Sequence, residues 1–114
     1  MKTSSAKAKG RKACKEAKAL ILSYVPELKD ADIQVTSSGA TGRDLKFSPL
    51  ASKLLPLAIE CKNQERLNIW DALTQAEDNS TPDEVPVVVF RRNGAQLHVA
   101  LGFEQFLALL KRTL

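Results

Sequence analysis

No apolar run in this 114-residue chain approaches the roughly 20 residues that a membrane-spanning helix needs. The lysines near the start have no apolar stretch of signal-peptide type behind them, so no export signal and a cytoplasmic location are expected. Cysteine is scarce. Cys14 and Cys61 have neither CxxC nor CxxH spacing, which removes the spaced zinc patterns and leaves buried or inert thiols as the plain reading. The lone histidine, His98, has no catalytic partner in the sequence and reads as a structural residue on a strand face. Helix-turn-helix spacing and internal repeats are also missing.

What is present suits one soluble domain. The length allows a real core but no second one. At 44% apolar and 26% charged the composition is ordinary for a globular chain. The net charge of +4 is distributed unevenly. Lys2, Lys7, Lys9, Arg11, Lys12, Lys15 and Lys18 crowd the start, opposed there only by Glu16, while acids slightly outnumber bases in the remainder. Such a basic end suits a phosphate backbone. Residues 1–8 lack a pattern and are expected to form a flexible basic arm, with the domain proper at 9–114.

Periodicity gives the elements. Ala13, Ala17, Leu20, Ile21 and Tyr24 recur at helical spacing, so residues 9–24 are expected to be a helix that Pro26 ends. Ile33-Gln34-Val35-Thr36 alternates as a short strand. Residues 37–42 are small, polar and glycine-bearing, and read as a turn. A returning strand over 43–47 would carry Asp44. Residues 50–55 suit either a helical turn or a loop. A third strand over 57–62 would send Leu57 and Ile59 one way and Ala58, Glu60 and Lys62 the other. Residues 68–78 form a helical stripe with Asn68 as N-cap. Residues 85–91 are nearly all apolar or β-branched, the mark of a strand covered on both faces. Asn93-Gly94 is a two-residue hairpin signal, followed by an alternating strand over 95–101. A last helix over 103–112 gathers Phe103, Phe106, Leu107 and Leu110 on one face. The order predicts an α/β layer fold with a mixed five-stranded sheet flanked by helices.

The chemistry-bearing residues cluster at Ile59-Glu60-Cys61-Lys62. Glu60 and Lys62 would leave one strand side by side, and Asp44 would arrive from the strand before it. Phosphodiester hydrolysis needs a nucleophilic water, neutralised phosphate charge and help for the leaving oxygen, all of which hard divalent cations supply. Asp44 and Glu60 suit Mg2+, with the backbone carbonyl of Cys61 as a further ligand. Lys62 would orient or deprotonate the water or stabilise developing charge. Glu16 would complete the metal shell from the first helix.

With these residues in place, the stretch 9–62 resembles the PD-(D/E)XK nuclease superfamily, and the element order is similar to its αβββαβ restriction-endonuclease-like core. The start Lys9-Gly10-Arg11-Lys12, the helical acid Glu16 and the turn Ser37-Ser38-Gly39 resemble Holliday-junction resolvases of the archaeal type and their phage relatives. That resemblance implies homodimers that cut four-way DNA junctions with Mg2+ or Mn2+, acting in a host cytoplasm if phage-encoded. It implies Asp44, Glu60 and Lys62 as the motif residues and Glu16 as the helical acid. Arg43 stands where the superfamily name has proline, and Cys61 is an acceptable apolar spacer. Gln75 falls where some branches place a glutamine near the site, and is an accessory candidate.

DNA contact is expected from Lys7, Lys9, Arg11, Lys12 and Lys15 through phosphates, from Ser37 and Ser38 through hydroxyls and backbone donors, and from Arg43 through charge beside Asp44. Recognition of DNA shape is expected over recognition of sequence. Two other functions fit the same residues: a nuclease for duplexes, nicks or ends, and a non-catalytic DNA-binding protein of the same fold. The stripe on the last helix offers a face for a twofold dimer.

Overall fold

The computed structural model describes residues 2–36 and 43–114. In chain order it holds α1 (Lys2–Tyr24), a 3-10 turn (Asp30–Asp32), β1 (Ile33–Val35), β2 (Leu45–Phe47), α2 (Pro49–Leu54), β3 (Leu57–Asn63), α3 (Ile69–Asp78), β4 (Val85–Arg91), β5 (His98–Ala100) and α4 (Phe103–Lys111). The turn expected over 37–42 lies outside the described residues. Among the described residues, no helix is long and apolar enough to cross a membrane.

β3 and β4 form the centre. They run parallel, with Glu60 opposite Val88 and Lys62 opposite Phe90. The Val85 N–H donates to the Pro56 carbonyl at 2.8 Å. Neighbouring residues of a strand send their backbone groups to opposite edges, so Ala58, Glu60 and Lys62 bond toward β4 while Ile59 and Cys61 bond away from it. The same phase explains Pro86 in this central strand. Its missing N–H faces β5, whose pairing with β4 begins only at Val88.

α1 covers one face of this sheet and α3 the other. Ala13, Cys14 and Ala17 of α1 are buried against Ile59, Cys61 and Val87. These small side chains let the helix lie close to the strands. Across the sheet, Ala72 and Ala76 of α3 pack with Val88. Burying a valine such as Val88 contributes about 1.5–3 kcal/mol. The near-continuous apolar run of β4 follows from this sandwiching, as its sequence implies.

The expected five-stranded sheet is not formed. β1 and β2 make an antiparallel pair of their own, and β3, β4 and β5 make a second, three-stranded sheet. A side chain takes the place of a ladder between them: Asp44 Oδ2 accepts the Cys61 N–H at 2.7 Å, on the edge of β3 that faces away from β4. With β2 only three residues long, its other edge offers little to pair. Asp44 itself lies in a bend just before β2, not within the strand.

Several boundaries also differ. α1 begins at Lys2, so residues 2–8 of the segment expected as an arm belong to the helix. Leu20 and Tyr24 of the expected α1 stripe are exposed. The undecided stretch after Ser48 is helical. Ser48 Oγ accepts the Ala51 N–H at 3.1 Å, and Pro49 stands at the first helical position, where its missing donor costs nothing. Asn93-Gly94 does form a turn, with the Ala95 N–H donating to the Arg92 carbonyl at 3.1 Å. Of these two residues only Gly94 has positive φ, 78°, so this is not the doubly left-handed turn that keeps strand twist in a tight hairpin. Pairing accordingly resumes no nearer than Phe90 with His98, and β5 is shorter than the alternation implies.

Candidate functional site

The site forms where the bend before β2 meets the free edge of β3. The bend supplies Asp44; β3 supplies Glu60, Cys61 and Lys62. Glu60 and Lys62 leave β3 on the α3 side, as their spacing of two requires. Cys61 leaves on the α1 side, beside Cys14. Its carbonyl shares the edge used by its N–H and so faces Asp44's side. α1 passes close there, since a Cβ on Gly10 would stand 3.9 Å from the Cys61 carbonyl oxygen.

Electrostatics bind the acids into one unit. Burial raises the Asp44 carboxyl above its ordinary value, against the pull of the Cys61 N–H and the Lys62 charge. Burial also raises Glu60, and the negative charge of Asp44 adds to it; Lys62 and the Asn79 side chain offset only part. Lys62 Nζ lies 3.6 Å from Glu60 Oε2. Glu60 is 8% exposed, yet its Oε1 is buried without a hydrogen-bond donor among the described residues. Two carboxyls raised by burial, one raised further by the other's charge, suit a hard divalent cation, which supplies both charge and coordination. Asp44, Glu60 and the Cys61 carbonyl are the groups that would hold it.

The thiol of Cys61 is a different case. Its hydrogen bond with Cys14, then burial and the surrounding negative charge, push it far above the usual thiol range. It is a protonated, buried group.

Glu16 is drawn elsewhere. Its Oε1 accepts from Arg91 Nη2 at 2.6 Å, on the α1 face of the sheet. This pair ties α1 to the end of β4. Arg43 is also engaged: its two terminal nitrogens donate to the two carboxylate oxygens of Glu84, Nη2 to Oε1 at 2.8 Å. Burial raises the Glu84 carboxyl, but Arg43 and the Thr81 N–H outweigh it and hold the group below its ordinary value. The guanidinium expected to face DNA is thus used to anchor the loop before β4.

Arg11, Lys12 and Lys15 are exposed along α1, and Lys9 is half-buried. Nothing is described of the Lys7 side chain, and Ser37 and Ser38 lie outside the described residues. Gln75 is exposed on α3. Its carbonyl accepts the Asn79 N–H at 3.1 Å, so it reaches the site only through the helix end that presents Asn79. Asn79 was not legible as a site residue. An asparagine after a helix reads first as a cap, and only tertiary packing brings it to Glu60. Asn63, buried at the end of β3 with Oδ1 unpaired among the described residues, likewise had no sequence signal.

No family model, no curated protein and no solved structure matches this chain.

Proposed function

We propose that the protein is a metal-dependent DNA endonuclease that cleaves phosphodiesters in branched DNA, in the manner of a Holliday-junction resolvase. The observation that carries this reading is the grouping of Asp44, Glu60 and Lys62, with Lys62 Nζ 3.6 Å from Glu60 Oε2 and Glu60 Oε1 buried without a donor among the described residues. The element order, with α2 inserted before β3, supports the restriction-endonuclease-like αβββαβ arrangement even though the sheet is divided.

Mg2+ or Mn2+ would be held by Asp44, Glu60 and the Cys61 carbonyl, and would supply Lewis acidity and an activated water. Asp44 is oriented by the Cys61 N–H, which fixes one oxygen and leaves the other for coordination. Lys62, with Nζ 3.6 Å from Glu60 Oε2, is placed to stabilise negative charge developing on a phosphate. Glu16, engaged with Arg91, is outside this ligand set in the arrangement described. The exposed cations of α1 would hold the DNA backbone.

A homodimer completes the proposal. Phe103, Phe106, Leu107 and Leu110 of α4 are all exposed, and α4 contributes no buried residue to its own chain. An apolar helix left outside the core fits a subunit interface. Two sites related by a twofold axis would suit paired cuts across a junction.

The deciding experiment is cleavage of a synthetic four-way junction with and without Mg2+, beside flapped, nicked and linear duplexes. Metal-dependent cutting of the junction supports the proposal. Cutting confined to duplexes, nicks or ends replaces it with a general nuclease of the same site. Tight, salt-sensitive binding with no cutting under Mg2+ or Mn2+ replaces it with a non-catalytic DNA-binding protein.

A further inference from the structure

Behind the carboxylates lies a second group of donors. Cys14 Sγ on α1, Cys61 Sγ on β3 and a carboxylate oxygen of Asp44 all lie within 4.8 Å of one another, and both thiols are buried. Three elements far apart in sequence bring them together, which is why the cysteine spacing gave no metal pattern. The set is chemically unlike the Asp44–Glu60 pair. Sulfur donors select soft or borderline cations, whereas Mg2+ takes oxygen alone. Zinc bonds to sulfur at about 2.3 Å and to carboxylate oxygen at about 2.0–2.2 Å in tetrahedral sites. The three donors need to close only slightly to meet such an ion.

We propose that Cys14, Cys61 and Asp44 form a second cation site, specific for a thiophilic divalent metal such as Zn2+ or Cd2+. On binding, each thiol loses its proton to solvent and forms one metal–sulfur bond, and Asp44 supplies a carboxylate oxygen. Three protein donors leave a fourth position for water. Resting on the nuclease reading, one consequence follows: Asp44 serves both sites, so a thiophilic ion suppresses Mg2+-dependent cleavage.

The binding test needs no activity. The fully reduced, full-length protein is titrated with Cd2+ while thiolate-to-metal charge-transfer absorbance is followed. One equivalent should saturate the signal. Cys14→Ser should weaken binding at least tenfold, and Asp44→Asn should weaken it with the fold intact by circular dichroism. Glu77→Gln, an exposed carboxylate on α3, should change nothing. Absence of the charge-transfer band in the reduced protein, or unchanged affinity in Cys14→Ser, overturns the site.

Sharing of Asp44 is tested separately on junction cleavage. Cd2+ should inhibit the wild type at least tenfold more strongly than it inhibits Cys14→Ser; equal inhibition overturns the shared ligand. Cadmium binding without any nuclease activity would leave the thiophilic site standing and remove the nuclease reading. Cleavage without cadmium binding would do the reverse.

Discussion

Asp44 Oδ2 accepts the Cys61 N–H at 2.7 Å, and this one bond joins the bend before β2 to the free edge of β3. It takes the place of a strand ladder between the two sheets and brings Asp44 to the strand that carries Glu60.

That bond separates two substitutions. Asp44→Asn keeps an oxygen that can accept the Cys61 N–H but removes the negative charge. It should fold normally and lose junction cleavage by about a hundredfold or more, while junction binding persists. Asp44→Ala leaves the N–H unpaired, and should in addition lose about 1–3 kcal/mol of stability in urea unfolding. Equal cleavage by Asp44→Asn and wild type would remove Asp44 from the chemistry.

Glu60 makes stability depend on pH and on metal. Its folded carboxyl is raised above the ordinary 4.5, first by burial and then by Asp44. Between the ordinary and the raised value, the folded state holds more protons than the unfolded state. Stability is therefore greatest below the ordinary value and falls as pH rises through the raised one. Glu60→Gln should be more stable than the metal-free wild type at pH 7, and the advantage should vanish in acid. Thermal unfolding across pH checks both. Mg2+ should raise the wild-type midpoint at pH 7 and have much less effect on Glu60→Gln.

The Glu16–Arg91 pair predicts a structural loss with little chemical one. Glu16 is partly open to solvent, so the pair is worth about 1 kcal/mol. Glu16→Gln should lower stability by about that amount and keep cleavage within tenfold of wild type. A loss of cleavage like that of Asp44→Asn, with stability unchanged, would return Glu16 to the metal shell.

The basic face of α1 should govern salt dependence. Replacing Arg11, Lys12 and Lys15 by Gln should weaken binding to all DNA forms alike. The slope of log affinity against log salt should fall by about 0.9 for each phosphate contact removed from duplex DNA. An unchanged slope would place the DNA on another surface.

The exposed stripe on α4 predicts a dimer. Sedimentation should find two copies, and Phe106→Glu with Leu110→Glu should yield a folded monomer. A wild-type monomer at micromolar concentration would remove the interface.

Much of this protein is written in its local sequence. The helical stripe around Ala13 and Ala17, the apolar run 85–91 and the N-cap at Asn68 each arise from neighbouring residues, and each became the expected element. The spacing of Glu60 and Lys62 put both on one face for the same reason: alternation along a strand is a property of the chain itself. Tertiary structure decided what depends on distant partners. It divided the sheet, because the Asp44 side chain took the Cys61 N–H where a ladder would have formed. Glu16 and Arg43 went to Arg91 and Glu84, since half-buried charges draw the opposite charges that packing brings near. It set Asn79 beside Glu60 and Cys14 beside Cys61, contacts that no sequence spacing encodes because the residues belong to elements joined only by the fold.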